Sequence, residues 1–167
     1  MNSPTRLLLA IDPGAAGGYA YRLGNSGVVT GPLPQHDGAM LDLLRELQTQ
    51  ADEVELYIED VRSFAGDLGM AASMAKLFGG KRFIDGLAMG LGWRVVDVEP
   101  KKWQSHFAFG KKNKRTTSKG KIVNDETEWK NRLKSEAQKR FPQIKISLGT
   151  ADALLILDYA THQTSKP

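Results

Sequence analysis

Arg6-Leu7-Leu8-Leu9-Ala10-Ile11-Asp12-Pro13-Gly14 is the stretch that decides the fold. An unbroken apolar run that ends on a carboxylate and a Pro-Gly turn reads as a strand buried on both faces, delivering Asp12 to its C-terminal end. Gly14, Gly17 and Gly18 make a tight turn after it, and residues 19–23 and 27–30 read as two short strands joined by Gly24-Asn25-Ser26-Gly27, an antiparallel meander. Gly31-Pro32-Leu33-Pro34 ends the sheet at that point. Asp37 is then placed to cap a helix whose apolar residues Met40, Leu41, Leu43, Leu44 and Leu47 have helical spacing.

Val54-Glu55-Leu56-Tyr57-Ile58-Glu59 returns as a strand, again with an acid at its tip before an irregular stretch over 61–67. Residues 71–91, rich in Ala, Met, Leu and Gly, suit a long helix in which Gly79-Gly80 is a weak point. Residues 93–98 form another strand, and Pro100 opens a short helix carrying Lys101, Lys102 and Trp103. A basic loop over about 110–124 is expected to be flexible. Acids in a first turn start a helix near residue 124 that Phe141-Pro142 stops, and residues 151–160 form a last apolar helix with Asp152 in its first turn. Three strands, a helix, a strand, a helix, a strand and closing helices make an α/β protein. With no internal repeat and no linker, 167 residues fit one domain.

Composition narrows the function. Hydrophobic residues at 41% and charged residues at 25% are ordinary globular usage. No apolar run approaches the ~20 residues of a membrane span, and Met1 to Arg6 is no secretory signal. The absence of cysteine excludes disulfides, thiolate zinc sites and a cysteine nucleophile, and is compatible with a cytoplasmic location. A net charge of +4 is modest but unevenly placed, since Lys111, Lys112, Lys114, Arg115, Lys119 and Lys121 follow one another with no intervening acid. Such a cluster fits a polyanion; taken alone, it fits a solvated loop equally well. The later helix adds Lys130, Arg132, Lys134, Lys139 and Arg140.

Asp12, Glu59 and Asp152 stand at the boundaries of apolar elements, where a carboxylate costs desolvation energy unless it is paired or binds a cation. Each has a plain alternative. Asp12 before Pro-Gly is a common turn former, Asp152 in a first helical turn favours the dipole, and Asp60 points to the opposite face from Glu59 and competes with it as a ligand. As a set, hard oxygen donors suit Mg²⁺ or Mn²⁺, and two such ions can activate water and stabilise the leaving oxygen of a phosphodiester.

At these residues the chain resembles the RuvC-like Holliday junction resolvases, including their bacteriophage and chloroplast branches. The resemblance rests on Leu9-Ala-Ile-Asp-Pro-Gly14, Tyr57-Ile-Glu59, Val95-Val-Asp-Val-Glu-Pro-Lys-Lys-Trp103 and Gly149-Thr-Ala-Asp-Ala-Leu-Leu155, in family order over nearly the whole chain. It implies a ribonuclease H-like fold, a five-stranded mixed sheet with helices on both faces, and a homodimer that makes paired nicks in a four-way junction. It also implies two Mg²⁺ or Mn²⁺ ions, with Asp12, Glu59 and Asp152 as ligands. One departure stands out: where the family supplies a fourth acid or histidine, three or four positions before the last aspartate, this chain has Gly149 and Leu148. Lys101, Lys102 and the basic run from Lys111 to Lys121 are then expected on phosphates, which position a junction without reading its sequence. Phe64 is a candidate wedge for an opened junction.

Trp103 reads as a core tryptophan, Met70, Met74 and Met89 as core or dimer-helix packing, and His36, His106 and His162 show no ligand spacing. Two rival readings remain. Actin-like kinases begin with a similar strand, but they are longer and need a second Gly-rich phosphate motif that this chain lacks. A non-cleaving or weakly active branched-DNA-binding module would keep the basic surface and tolerate the missing ligand.

Overall fold

In the computed structural model, residues 4–61 and 71–164 are described, side chains at 71–73 excepted. The apolar run of the N-terminus is β1 (Arg6–Ile11), the central strand of a five-stranded sheet in the order β3-β2-β1-β4-β5. It pairs antiparallel with β2 (Gly18–Leu23) and parallel with β4 (Glu53–Glu59). β3 (Val28–Pro32) adds antiparallel to β2, and β5 (Arg94–Val98) adds parallel to β4. The sheet is therefore mixed.

Both faces of β1 are covered, which is why its sequence does not alternate with polar residues. Leu7, Leu9 and Ile11 join Val54, Leu56 and Ile58 in a core shared with α1 (Asp37–Thr49) and α2 (Ala71–Gly90). Leu8, Ala10 and Tyr57 face the other way, onto α3 (Pro100–His106), α4 (Glu126–Arg140) and α5 (Leu148–Thr164). Helices thus lie on both faces, and α5 runs across β1, β2, β3 and β4. Glu55, the buried acid of that second face, is matched by Arg6 and by Arg94 at 3.0 Å.

Several expectations are corrected. β3 continues through Pro32, paired opposite Gly18; proline is tolerated there because the strand is at the sheet's edge. Asp37 is the first residue of α1 rather than its cap, which is His36 with no side-chain cap bond. Gly79-Gly80 does not interrupt α2. The basic loop forms a hairpin, β6 (Lys114–Thr116) against β7 (Ile122–Asn124). Its tip closes through Gly120 N–H to the Thr117 carbonyl at 2.9 Å, with Gly120 at φ 75°, and the β-branched Thr116, Ile122 and Val123 favour strand.

α5 begins three residues earlier than the sequence suggests. Ser147 and Thr150 cap it reciprocally, Thr150 N–H donating to Ser147 Oγ and Ser147 N–H to Thr150 Oγ1, both at 3.1 Å. Asp152 consequently sits in the second turn, where its presence is not explained by the helix dipole. Met89 is 68% exposed and so is not core. Phe64 and Met70 lie outside the described residues.

Candidate active site

The parity of β1 and β4 brings the first two acids together. Ile11 pairs with Ile58, so Asp12 and Glu59 come one step later on adjacent parallel strands, about 4.8 Å apart in the pairing direction. Alternation puts both side chains on the face of Ala10 and Tyr57, the face covered by α5. Asp60, next in the chain, follows the opposite parity, and its N–H donates to the Val98 carbonyl at 2.8 Å. Of the two neighbouring acids, Glu59 is the one turned toward Asp12 and Asp152.

Each acid is held locally. Asp12 Oδ1 accepts the Gly14 N–H at 3.0 Å, an Asx turn that fixes the carboxylate at the strand's end. Glu59 Oε1 accepts Trp103 Nε1–H at 3.0 Å. Trp103 has no exposed surface, so the donor's direction is set by packing. Asp152 projects from α5 between buried Ala151 and Ala153.

Electrostatics shows what the arrangement lacks. Burial first, then repulsion from Asp12 and more weakly from Asp152, pushes the Glu59 carboxyl up to about 8, against the opposing Trp103 hydrogen bond. Burial and Asp12 push Asp152 up to about 7, with Lys130 and Lys112 opposing. Burial also raises Asp12, opposed by the Gly14 hydrogen bond and Lys130. Among the described residues no lysine or arginine forms an ion pair with any of the three. Three desolvated carboxylates that repel one another could hold a cation, and an all-oxygen set would suit Mg²⁺ or Mn²⁺. Their ligand oxygens are not all drawn within 4.8 Å of one another, as expected of like charges with nothing between them.

The packing at Gly149, where the resemblance leads one to expect a further acid or histidine, leaves no room for a side chain. A Cβ built at Gly149 would stand 2.3 Å from the Ala16 carbonyl oxygen, and one at Gly18 would stand 2.8 Å from the Gly149 carbonyl oxygen. The first turn of α5 is thus pressed against the loop that carries Asp12, with no space for a side chain at 149. Leu148, one position earlier, is 46% exposed and offers no donor.

The basic residues surround this site unevenly. Lys101 and Lys102 are exposed on α3, Lys102 lying 3.6 Å from Glu99. Lys111, Lys114, Arg115, Lys119 and Lys121 are exposed on and beside the hairpin. Lys112 is half-buried instead, paired with Glu126 at 2.8 Å and lying over the Trp129 ring. Arg132 and Arg140 are structural, the first bonded to Glu128 and the Phe109 carbonyl, the second to Glu136 and Asp158. Reading the sequence missed two contributors. Trp103 is a core residue that also positions Glu59, and Lys130, one of many helix lysines, is the one whose charge is felt at both Asp12 and Asp152.

No protein-family model and no curated protein sequence matches the chain. Solved structures do match: the mixed five-stranded sheet with helices on both faces is the ribonuclease H-like α/β fold. Within it, the fold is that of RuvC. The structure of Thermus thermophilus RuvC in complex with Holliday junction substrate matches with TM-score 0.53 and 16% identity, covering 95% of each chain. A second Thermus thermophilus RuvC structure matches with TM-score 0.52 and 19% identity over 96% of this chain and 99% of that one. At such identities the likeness concerns the fold.

Proposed function

We propose that the protein is a divalent-metal-dependent endonuclease that nicks four-way DNA junctions. The observation that carries this reading is the meeting of Asp12, Glu59 and Asp152 from two strand tips and a helix, with Glu59 and Asp152 pushed up to about 8 and 7. Bound Mg²⁺ or Mn²⁺ would supply Lewis-acid stabilisation of phosphate charge and an activated water, with one or two ions held by these three acids. The chain's own part is orientation: the Gly14 N–H fixes Asp12, and Trp103 fixes Glu59. Lys112 and Lys130 place positive charge at the border of the acids, where a phosphate would approach. Lys101, Lys102 and the hairpin's Lys111, Lys114, Arg115, Lys119 and Lys121 are proposed to follow the DNA backbone, and Phe64 remains a proposed wedge.

A junction has two strands to cut, so the proposal includes a homodimer. It is supported by α2, which leaves Phe78 and Met89 exposed along one stripe, with open space over Gly79 and Gly86 on the neighbouring one. No helix among the described residues is long and apolar enough to cross a membrane.

Glu59→Gln separates the two readings of the site. The variant keeps the side chain's size and its Trp103 contact, so junction binding in a gel-shift assay should be unchanged while cleavage is lost. Cleavage equal to wild type removes Glu59 from the chemistry. The filled space at Gly149 favours the second reading, a junction-binding module without cleavage; tight binding by the wild type with no cutting in any metal would select it.

A further inference from the structure

Three ligand-bearing side chains that the acid site does not use meet where the end of α3 touches α5. His106 is the last residue of α3, and Asp158 and His162 lie one turn apart on α5. Each offers a ligand atom, and these atoms all lie within 4.8 Å of one another; no other group of three or more His, Asp or Glu among the described residues does so. Six residues separate Asp158 from Asp152, about 9 Å along the helix and about 120° around it, so this cluster is distinct from the acid site.

The surroundings orient all three. The His162 Nδ1 stands 2.8 Å from the Asp158 carbonyl oxygen and 3.7 Å from Asp158 Oδ2; with its proton on Nδ1 the ring bonds that carbonyl and offers Nε2 as a ligand atom. Backbone-anchored imidazoles of this kind are usual around metals. Arg140 Nη1 donates to Asp158 Oδ2 at 2.9 Å and fixes the carboxylate. The His106 ring is set edge-on to Phe107 and Tyr159, with its centroid 4.9 Å from that of His162.

We propose that His106, Asp158 and His162 form a second metal site, for a transition-metal ion of the Zn²⁺ class. Imidazole nitrogens favour Zn²⁺, Co²⁺ and Ni²⁺ over Mg²⁺, and two imidazoles with one carboxylate leave a fourth position for water. The ion would tie α3, which carries Trp103 and through it Glu59, to α5, which carries Asp152. This assignment does not depend on the proposed nuclease activity.

The test uses the full chain with Asp12→Asn and Asp152→Asn, so that the acid site no longer competes. Zn²⁺ is titrated calorimetrically, Co²⁺ is followed by its visible absorption, and melting is compared in chelator and in Zn²⁺. One Zn²⁺ per chain, a Co²⁺ spectrum of a nitrogen-ligated tetrahedral ion, and a Tm raised by about 5–10 °C at a hundredfold excess over Kd are expected. His106→Gln and His162→Gln, each at a surface position, should abolish all three signals while leaving the Tm in chelator unchanged. If those variants shift the Tm in chelator, His162→Asp, which restores a ligand, should recover Zn²⁺ binding. No Zn²⁺ uptake by the parent protein, or undiminished uptake by the His106→Gln, His162→Gln double variant, overturns the proposal.

Discussion

Placing an acid at position 149 by Gly149→Asp is expected to damage the site rather than add a ligand to it. A Cβ at 149 meets the Ala16 oxygen at 2.3 Å, whereas ordinary contact begins at 3.4 Å, so the 13–17 loop must recede by about 1 Å. That loop cannot recede alone. Asp12 N–H is bonded to the Gly18 carbonyl at 3.0 Å and Gly17 N–H to the Gly14 carbonyl at 2.8 Å, so the movement is passed to Asp12 itself. Overpacking of this kind costs about 1–3 kcal/mol, offset in part by the better helix propensity of the new residue, worth at most about 1 kcal/mol. Gly149→Ala isolates the steric part. At a net cost of about 1–2 kcal/mol and about 2–4 °C per kcal/mol for a chain of this size, its Tm should fall by about 2–8 °C in chelator. Calorimetry checks this, and cleavage assays should show Gly149→Asp below wild type at every Mg²⁺ concentration. A Gly149→Ala Tm at or above wild type, or a more active Gly149→Asp, refutes the steric explanation.

Further outcomes follow from the same geometry. Without divalent cations, Glu59 (about 8, against 4.5 unfolded) and Asp152 (about 7, against 3.8) bind protons more tightly folded than unfolded. Their contribution to stability is therefore full below about pH 4 and is lost as pH rises toward 8. Wild type minus Glu59→Gln should show a Tm difference that grows more unfavourable to wild type across that window in chelator and shrinks in Mg²⁺; a difference independent of pH would contradict the assignment. Trp103→Phe removes the hydrogen bond to Glu59, and roughly a tenfold rise in the Mg²⁺ concentration needed for cleavage is expected; an unmoved Mg²⁺ titration would reduce Trp103 to packing. Lys114→Ala and Arg115→Ala should each lower the salt slope of junction binding by about 0.9 if each engages a phosphate. An unchanged slope places the DNA elsewhere.

The sheet was legible because its central strands are buried on both faces, so β1 and the apolar half of β4 appear as apolar sequence bounded by Pro, Gly or acid. The parity that unites Asp12 with Glu59 was likewise readable, since period-two alternation needs no tertiary knowledge. Asp152 stood out as a candidate, but its turn did not, because the cap of α5 lies in the Ser147–Thr150 exchange, outside the apolar block. The hairpin was hidden by its lysines, whose charge outweighed Thr116, Ile122 and Val123 as a signal. Contacts between distant segments were not legible at all. Nothing local marks Gly149 as pressed on Ala16, Trp103 as the donor to Glu59, or His106 as the neighbour of His162, 56 positions later but 4.9 Å away between ring centroids.

The central claim is most directly tested by incubating the purified protein with an end-labelled synthetic four-way junction and with a linear duplex of the same sequence, in Mg²⁺, in Mn²⁺ and in chelator. Paired nicks in opposed strands of the junction, dependent on metal, are expected, and none in the duplex. An intact junction in both metals, with the protein bound to it, would mean that the protein is not a nuclease.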